Sequence, residues 1–145
     1  MELSCKSVYT LLALLELVPR YHTGEPVQIR QIAAQRSIPD RYLEQLLATL
    51  RRCQLVRSQR GAKGGYVLAR EPWKITLLEA IQCIDGTDDQ NPDLGLTHKT
   101  PEVDVVKEIW QEARQAAELV LQNYTLQDLA ERCDIKKQHN IMYYI

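Results

Sequence analysis

The residues best suited to chemistry lie between Arg57 and Gly65, where Arg57, Arg60 and Lys63 are interleaved with Gly61, Gly64 and Gly65. Cations on a glycine-rich loop can neutralise phosphate oxygens, because glycine lets the backbone turn tightly and approach closely. A nucleotide cradle would use the same residue types, but the G-x-x-x-x-G-K-[ST] spacing is absent and no helix follows directly. A second set, Arg41, Tyr42, Glu44, Gln45 and Thr49, falls outside an apolar helical pattern of Ile38, Leu43, Leu46, Leu47 and Leu50. Arg51 and Arg52 follow at the negative end of that helix, where they can serve the helix dipole or a phosphate. No nucleophile–base pair or paired-carboxylate spacing occurs, so no catalytic residue and no enzyme is expected. Asp88, Asp89, Asp93 and His98 have no recognised ligand spacing, and neither a metal site nor another cofactor is expected.

These side chains need elements to hold them. QIRQIAAQR reads as a helix with Ile29, Ile32 and Ala33 inward and Arg30, Gln31 and Gln35 outward. SIPD reads as a turn and RYLEQLLATLRRCQLV as a second helix. Ser37-x-x-Asp40 has the form of a capping box, with Pro39 tolerated in the first turn, and so predicts where that helix starts. VRS, QRGAKGG and YVL then supply strand, tip and strand of a hairpin. Helix, turn, helix and basic hairpin make a winged helix-turn-helix, whose second helix suits the major groove and whose wing reaches an adjacent groove or phosphates. A helix with Val8, Leu11, Leu12, Leu15 and Val18 on its inward face precedes it and ends at Pro19.

Charge divides the chain. The net charge of -1 over 145 residues hides 12 Lys+Arg against 6 Asp+Glu in residues 1–75, and 6 against 13 beyond. A basic half followed by an acidic one is the pattern of a chain that meets a polyanion with one part only. Cys5, Cys53, Cys83 and Cys133 fall singly, without C-x-x-C spacing. They read as free thiols, three of them within helical apolar patterns, and fit a reducing, cytoplasmic setting. The apolar run Val8 to Val18 is too short to span a bilayer, and Glu2 and Glu16 fit a secretory signal poorly.

Beyond the wing, Thr76-x-x-Glu79 caps a helix with Leu77, Leu78, Ile81 and Ile84 inward, ended by Asp85-Gly86. A polar loop comes next, and then the longest helix, Glu102 to Tyr124. Its seam of Val103, Val106, Trp110, Ala113, Ala117, Val120 and Tyr124 has heptad spacing suited to a partner helix, with purely internal packing as the alternative. Thr125-x-x-Asp128 caps a short helix to Cys133, and a polar linker leads to the apolar end Ile141-Met142-Tyr143-Tyr144-Ile145. Such an end either folds back or serves a partner.

Taken together, several stretches resemble the Rrf-type family of bacterial winged-helix transcription regulators. They are Leu3-Ser4-Cys5-Lys6-Ser7-Val8-Tyr9, Tyr42-Leu43-Glu44-Gln45-Leu46, and Gln54 at a glycine-like turn before Leu55-Val56. The wing Arg60-Gly61-Ala62-Lys63-Gly64-Gly65-Tyr66-Val67-Leu68, Ile75-Thr76 and Thr125-Leu126-x-Asp128-Leu129 complete the match over nearly the whole chain. The resemblance implies a homodimer with crossed long helices and two winged domains on a pseudo-palindromic DNA site. It places Tyr42, Glu44 and Gln45 on the recognition helix, and Arg60 and Gly61 in the minor groove. Glutamate can accept from cytosine and glutamine can pair with adenine, while arginine favours a narrow minor groove. Lys6, Arg41, Arg52 and Lys63 are then assigned to phosphate positioning. Glu44 could instead be an intrahelical partner of a basic neighbour. Cluster-binding relatives carry three cysteines in the loop that here reads TDDQNPDLGLTHKT, which has none, so no iron–sulfur cluster is expected. The chain instead resembles the cluster-less, CymR-like branch, which implies control by cysteine synthase, an enzyme whose active site captures the C-terminal isoleucine carboxylate of its usual partner. Tyr143, Tyr144 and Ile145 are the corresponding tail here, a chain end of the kind a backbone anion nest can hold.

The expected fold is mainly α with a small β-hairpin. A winged helix-turn-helix domain spans 1–84 (helix-turn-helix about 28–51, wing about 55–69), an effector-type loop 85–100, and a dimerisation helix, short capping helix and tail 101–145. The expected function is a homodimeric, sequence-specific DNA-binding regulator, acting as a repressor, with double-stranded DNA, a second copy and cysteine synthase as partners and no membrane. Two alternatives stand beside it: a thiol-based redox sensor acting through Cys5 or Cys53, and a winged-helix interaction module that no longer binds DNA.

Overall fold

Helix α1 (Cys5–Leu17) starts where the Ser4 hydroxyl accepts the Ser7 amide at 3.1 Å, satisfying one of the donors a helix start leaves open. This computed structural model describes residues 3–86 and 99–143. The inward face of α1 carries Ser7, Thr10, Ala13, Leu14, Leu15 and Leu17, whereas Val8, Leu11 and Leu12 are only half-buried. Of the five residues the apolar spacing points inward, Leu15 and Val18 are buried, so the face departs from the predicted stripe only over the first turns of the helix. Two buried hydroxyls make the departure tolerable: Thr10 donates to the Lys6 carbonyl at 2.8 Å, and Ser7 donates to Asp85 at 3.3 Å.

A 3-10 turn (Val18–Arg20) leads to α2 (Ile29–Arg36) and α3 (Asp40–Arg52). The turn between them corrects the capping box predicted at Ser37. Ser37 instead closes α2 in the left-handed region at φ 54, and Pro39 is the residue before α3, with no side-chain cap. Proline disfavours helical backbone in the residue before it, so Ile38 stays outside both helices and Asp40 opens α3. Asp40 sits in the first turn, where the helix dipole favours an anion.

Strands β1 (Val56–Gln59) and β2 (Gly65–Leu68) pair antiparallel, from Val56 opposite Leu68 to Gln59 opposite Gly65. Val27 and Tyr66 exchange two backbone hydrogen bonds of 2.9 Å, so the segment before α2 adds a third, one-residue rung. After a 3-10 turn (Pro72–Lys74), α4 (Leu77–Asp85) begins with the reciprocal cap predicted: Thr76 accepts from the Glu79 amide at 3.1 Å, and Glu79 accepts from the Thr76 amide at 3.1 Å. Helix α5 (Pro101–Asn123) is capped by Thr100, and α6 (Leu126–Tyr143) by the Thr125–Asp128 pair. The short helix predicted to stop at Cys133 therefore runs on. No glycine or proline lies between Asp134 and Tyr143, and the polar residues read as a linker are a solvated helix surface.

One apolar cluster unites Leu14 and Leu17 of α1, Ile32 of α2, Leu43, Leu47 and Leu50 of α3, Val56 and Leu68 of the hairpin, and Ile84 of α4. Leu126, fully buried, ties α6 into it, and a backbone rung links Thr76 to Thr125. Helix α5 buries no residue. Ile141, Met142 and Tyr143 are 61%, 74% and 92% exposed, so these three side chains do not pack on their own domain; Tyr144 and Ile145, like the 87–98 stretch of the polar loop, lie outside the described residues. The reading of four free thiols also fails: Cys53 and Cys83 form a disulfide, while Cys5 and Cys133 are free. Sequence spacing carried no sign of the pair, because two helices bring it together across 30 residues. Among the described residues no helix is long and apolar enough to cross a membrane.

Candidate nucleic-acid interface

The start of α3 is held by its apolar side and left open on the other. Leu43, Leu46, Leu47 and Leu50 are buried, while Arg41, Glu44 and Gln45 are exposed. Glu44 makes no ion pair among the described residues, so its carboxylate is available to a donor from outside. Tyr42 differs from its neighbours. Its ring meets Tyr9 edge-on at 5.7 Å between centroids and is half-buried, which fixes α1 against the first turn of α3. Lys6, one helical turn before Tyr9, is exposed.

The wing owes its shape to glycines at two kinds of position. Gly61 has φ 114, a conformation that residues with a Cβ rarely adopt. At Gly64 and Gly65 the limit is space: an added Cβ would meet the Gln59 carbonyl oxygen at the first and the Val27 carbonyl at the second. Close approach was expected there, but to a sugar-phosphate edge rather than to the protein's own backbone. Gln28, ahead of α2, reaches the tip from the side, its amide nitrogen 3.5 Å from the Ala62 carbonyl. Val27 and Gln28 thus lock the wing to the helix-turn-helix, a role no sequence motif marks. At the base of the wing, Gln54 takes φ 61, bearing out the glycine-like turn.

Ion pairing sorts the cations. Arg20, Arg36, Arg70 and Lys74 each face a glutamate. Arg41, Arg57, Arg60 and Lys63 are exposed and make no ion pair among the described residues. Arg51 and Arg52 donate to hydroxyls, Ser58 at 3.3 Å and Thr49 at 3.1 Å, which leaves their charge uncompensated. Unpaired cations on the wing and on both ends of α3 make a surface that can meet a polyanion without first breaking internal salt bridges.

The predicted helix seam lies apart from this surface. Val106, Trp110 and Val120 are 67%, 55% and 55% exposed, Ala113 is exposed, and Val103, Ala117 and Tyr124 are half-buried. Val105, Ile109 and Leu119 add exposed apolar surface on the same helix. Tyr124 is turned toward α6, where its ring lies under the Arg132 guanidinium at 4.7 Å and its hydroxyl accepts from Arg132 at 3.0 Å.

Comparison with known proteins places these features. Residues 3–132 match the Rrf2 family model, described as an iron-dependent transcriptional regulator. The chain is 37% identical over 145 residues to the HTH-type transcriptional regulator CymR of Bacillus subtilis, covering all of both chains. The solved structure of CymR, the global cysteine regulator of B. subtilis, superposes with a TM-score of 0.76 at 35% identity, covering 91% of this chain and 98% of that one. T. potens IscR gives a TM-score of 0.75 at 33% identity over 92% and 88%. The donor set does not fit the iron that the family description carries. An iron–sulfur cluster draws chiefly on cysteine thiolates. Here two of the four cysteines are bonded to each other, and the other two lie on different helices, α1 and α6. Among the described residues no three His, Cys, Asp or Glu side chains converge, and residues 87–98 contribute no cysteine.

Proposed function

Because this chain belongs to the Rrf2 family of transcription regulators, a family of DNA-binding proteins rather than enzymes, we propose that it works as a homodimeric repressor reading a pseudo-palindromic site. The observation that carries this reading is the set of exposed cations, Arg41, Arg57, Arg60 and Lys63, without an ion pair among the described residues, on two adjoining elements of the winged domain. In this reading Glu44 and Gln45 meet base edges in the major groove, Arg60 and Gly61 enter the minor groove, and Lys6, Arg41, Arg52 and Lys63 hold phosphates. Tyr42 serves by fixing the helix, with only its hydroxyl end near the duplex. A second copy packs along α5 at Val103, Val106, Trp110, Ala113, Ala117 and Val120, and so sets two wings on one duplex. Occupying a promoter with such a dimer excludes polymerase, which is the basis of the repressor assignment.

Control by cysteine synthase through Tyr143, Tyr144 and Ile145 belongs to the same proposal. It is supported by the exposure of Ile141, Met142 and Tyr143 and by similarity to a protein named the global cysteine regulator. Deleting Tyr144 and Ile145 should abolish co-purification of the synthase, and undiminished recovery would remove this part. The central test is fluorescence anisotropy with duplex DNA from upstream of the protein's own gene. Arg60→Ala should weaken binding by about 1–3 kcal/mol, whereas Lys63→Ala should chiefly flatten the salt dependence. A wild-type protein without affinity for that duplex at low salt would sink the proposal.

A further inference from the structure

Cys53 and Cys83 join two elements that the DNA-binding surface depends on. Cys53 closes α3: its amide donates to the Thr49 carbonyl at 3.1 Å, and Gln54 then turns the chain into β1. Cys83 lies on α4, two residues before its end at Asp85. Their Cα atoms are 6.2 Å apart, within the span a disulfide bridges without moving backbone. The bond therefore fastens the end of α3, and the start of the wing, to α4. Each sulfur also has a setting that suits an open form. Cys53 is exposed, so a small reagent can reach it. Cys83 is half-buried, with Sγ 3.6 Å from the Thr49 carbonyl, where a thiol would find an acceptor that a disulfide sulfur cannot use.

We propose that Cys53 and Cys83 form a reversible two-electron redox couple that takes small hydroperoxides as oxidant and tunes DNA affinity through the end of α3. In the reduced protein the Cys53 thiolate attacks the O–O bond of the peroxide and becomes a sulfenic acid, and the departing oxygen leaves as water or an alcohol after protonation. The Cys83 sulfur then attacks the Cys53 sulfur, the S–O bond breaks, and the sulfenic oxygen leaves as water with the thiol proton. Two thiols are thus oxidised to one disulfide as one peroxide is reduced. A dithiol reverses the change: it attacks the exposed Cys53 sulfur, Cys83 departs as a thiolate, and the second thiol closes the reductant's own disulfide. The oxidised form is the tighter binder, because the bond holds α3 and the base of the wing in one arrangement before DNA arrives. The reduced form leaves the same junction to apolar packing of Leu50, Ala80 and Ile84.

The affinity half of this inference rests on the DNA-binding reading above, and the chemical half does not. Full-length protein would be equilibrated with hydrogen peroxide, with dithiothreitol, and with each in turn, then digested with trypsin without reduction. A linked pair of peptides, residues 53–57 and 75–99, is expected after peroxide, lost after dithiothreitol and restored on reoxidation. Failure of that pair to form, or its persistence in dithiothreitol without denaturant, would overturn the couple. Anisotropy with the upstream duplex should show the reduced protein binding about fivefold or more weakly. The Cys53→Ser/Cys83→Ser double variant should bind like the reduced protein in both conditions. Equal affinity of both wild-type forms, or a double variant that still responds to peroxide, would overturn the regulatory role. Absence of binding in both forms would overturn the DNA-binding reading and the tuning with it, while the peptide map judges the chemistry by itself.

Discussion

At the scale of single residues, the structure separates groups that face outward from groups that only hold them there. Tyr42 and Glu44 show the difference, since they sit two residues apart on the same helix start. Tyr42→Ala removes an aromatic contact with Tyr9 and part of the apolar packing, and should cost about 2 kcal/mol of folding stability, somewhat below the cost of emptying a full core site. Tyr42→Phe keeps the ring and should leave urea unfolding unchanged within about 0.5 kcal/mol. If the Tyr42 hydroxyl reaches the duplex, the phenylalanine variant still loses affinity by anisotropy; unchanged affinity would confine Tyr42 to positioning. Gly65→Ala makes a different prediction, because its Cβ would press on the Val27 carbonyl and open the Val27–Tyr66 rung. It should destabilise by about 1–3 kcal/mol in the same unfolding experiment, and lower DNA affinity even under conditions where the protein stays folded. The glycines of the wing were legible as special positions, but their partners were not. A sequence shows that backbone must pass close to something, and only the fold says that the something is Val27 and Gln59.

At the scale of elements, legibility followed the strength of local signals. Most helices with apolar stripes and the glycine-rich hairpin were placed within a few residues, since periodicity and turn chemistry are written into neighbouring positions. The second helix of the helix-turn-helix, read as far as Val56, ends at Arg52 before the Gln54 turn. Three local readings went astray where a distant contact or a competing local rule won. Ser37 was needed to close α2 and so could not cap α3. The face of the first turns of α1 was set by hydroxyl partners at Lys6 and Asp85 that spacing cannot reveal. Helix α6 ran on because polarity alone does not stop a helix that lacks glycine and proline. The disulfide was the largest omission, and its energetic weight can be measured. Closing a loop across 30 residues restricts the unfolded chain, and chain-entropy arguments put this at about 3–4 kcal/mol. Urea unfolding of the wild type with and without dithiothreitol should differ by that order, and the Cys53→Ser/Cys83→Ser variant should show no such difference. A gap below about 1 kcal/mol would mean that strain or residual structure cancels the loop term.

At the scale of the whole molecule, the question is what covers α5. A 23-residue helix that buries nothing, yet exposes Val105, Val106, Ile109, Trp110, Leu119 and Val120, is not the amphipathic helix of a self-contained domain. The domain's own core is complete without it, because Leu126 and the Thr76–Thr125 rung attach the start of α6 directly to the winged domain. The heptad spacing places the seam residues along α5, and Tyr124 at its far end is taken up by Arg132. Pairing two copies along this helix would join two weakly binding winged domains into one ligand for DNA, so the second domain binds at high effective concentration. Val106→Glu combined with Trp110→Glu should therefore leave the winged domain folded, as judged by far-ultraviolet circular dichroism and an unaltered unfolding midpoint of the core. The same variant should sediment as a monomer and bind the upstream duplex about a hundredfold more weakly or worse. A variant that stayed dimeric would move the interface off α5. One that became monomeric yet bound as tightly as the wild type would show that a single wing and recognition helix suffice, and that two-fold symmetry adds nothing to affinity.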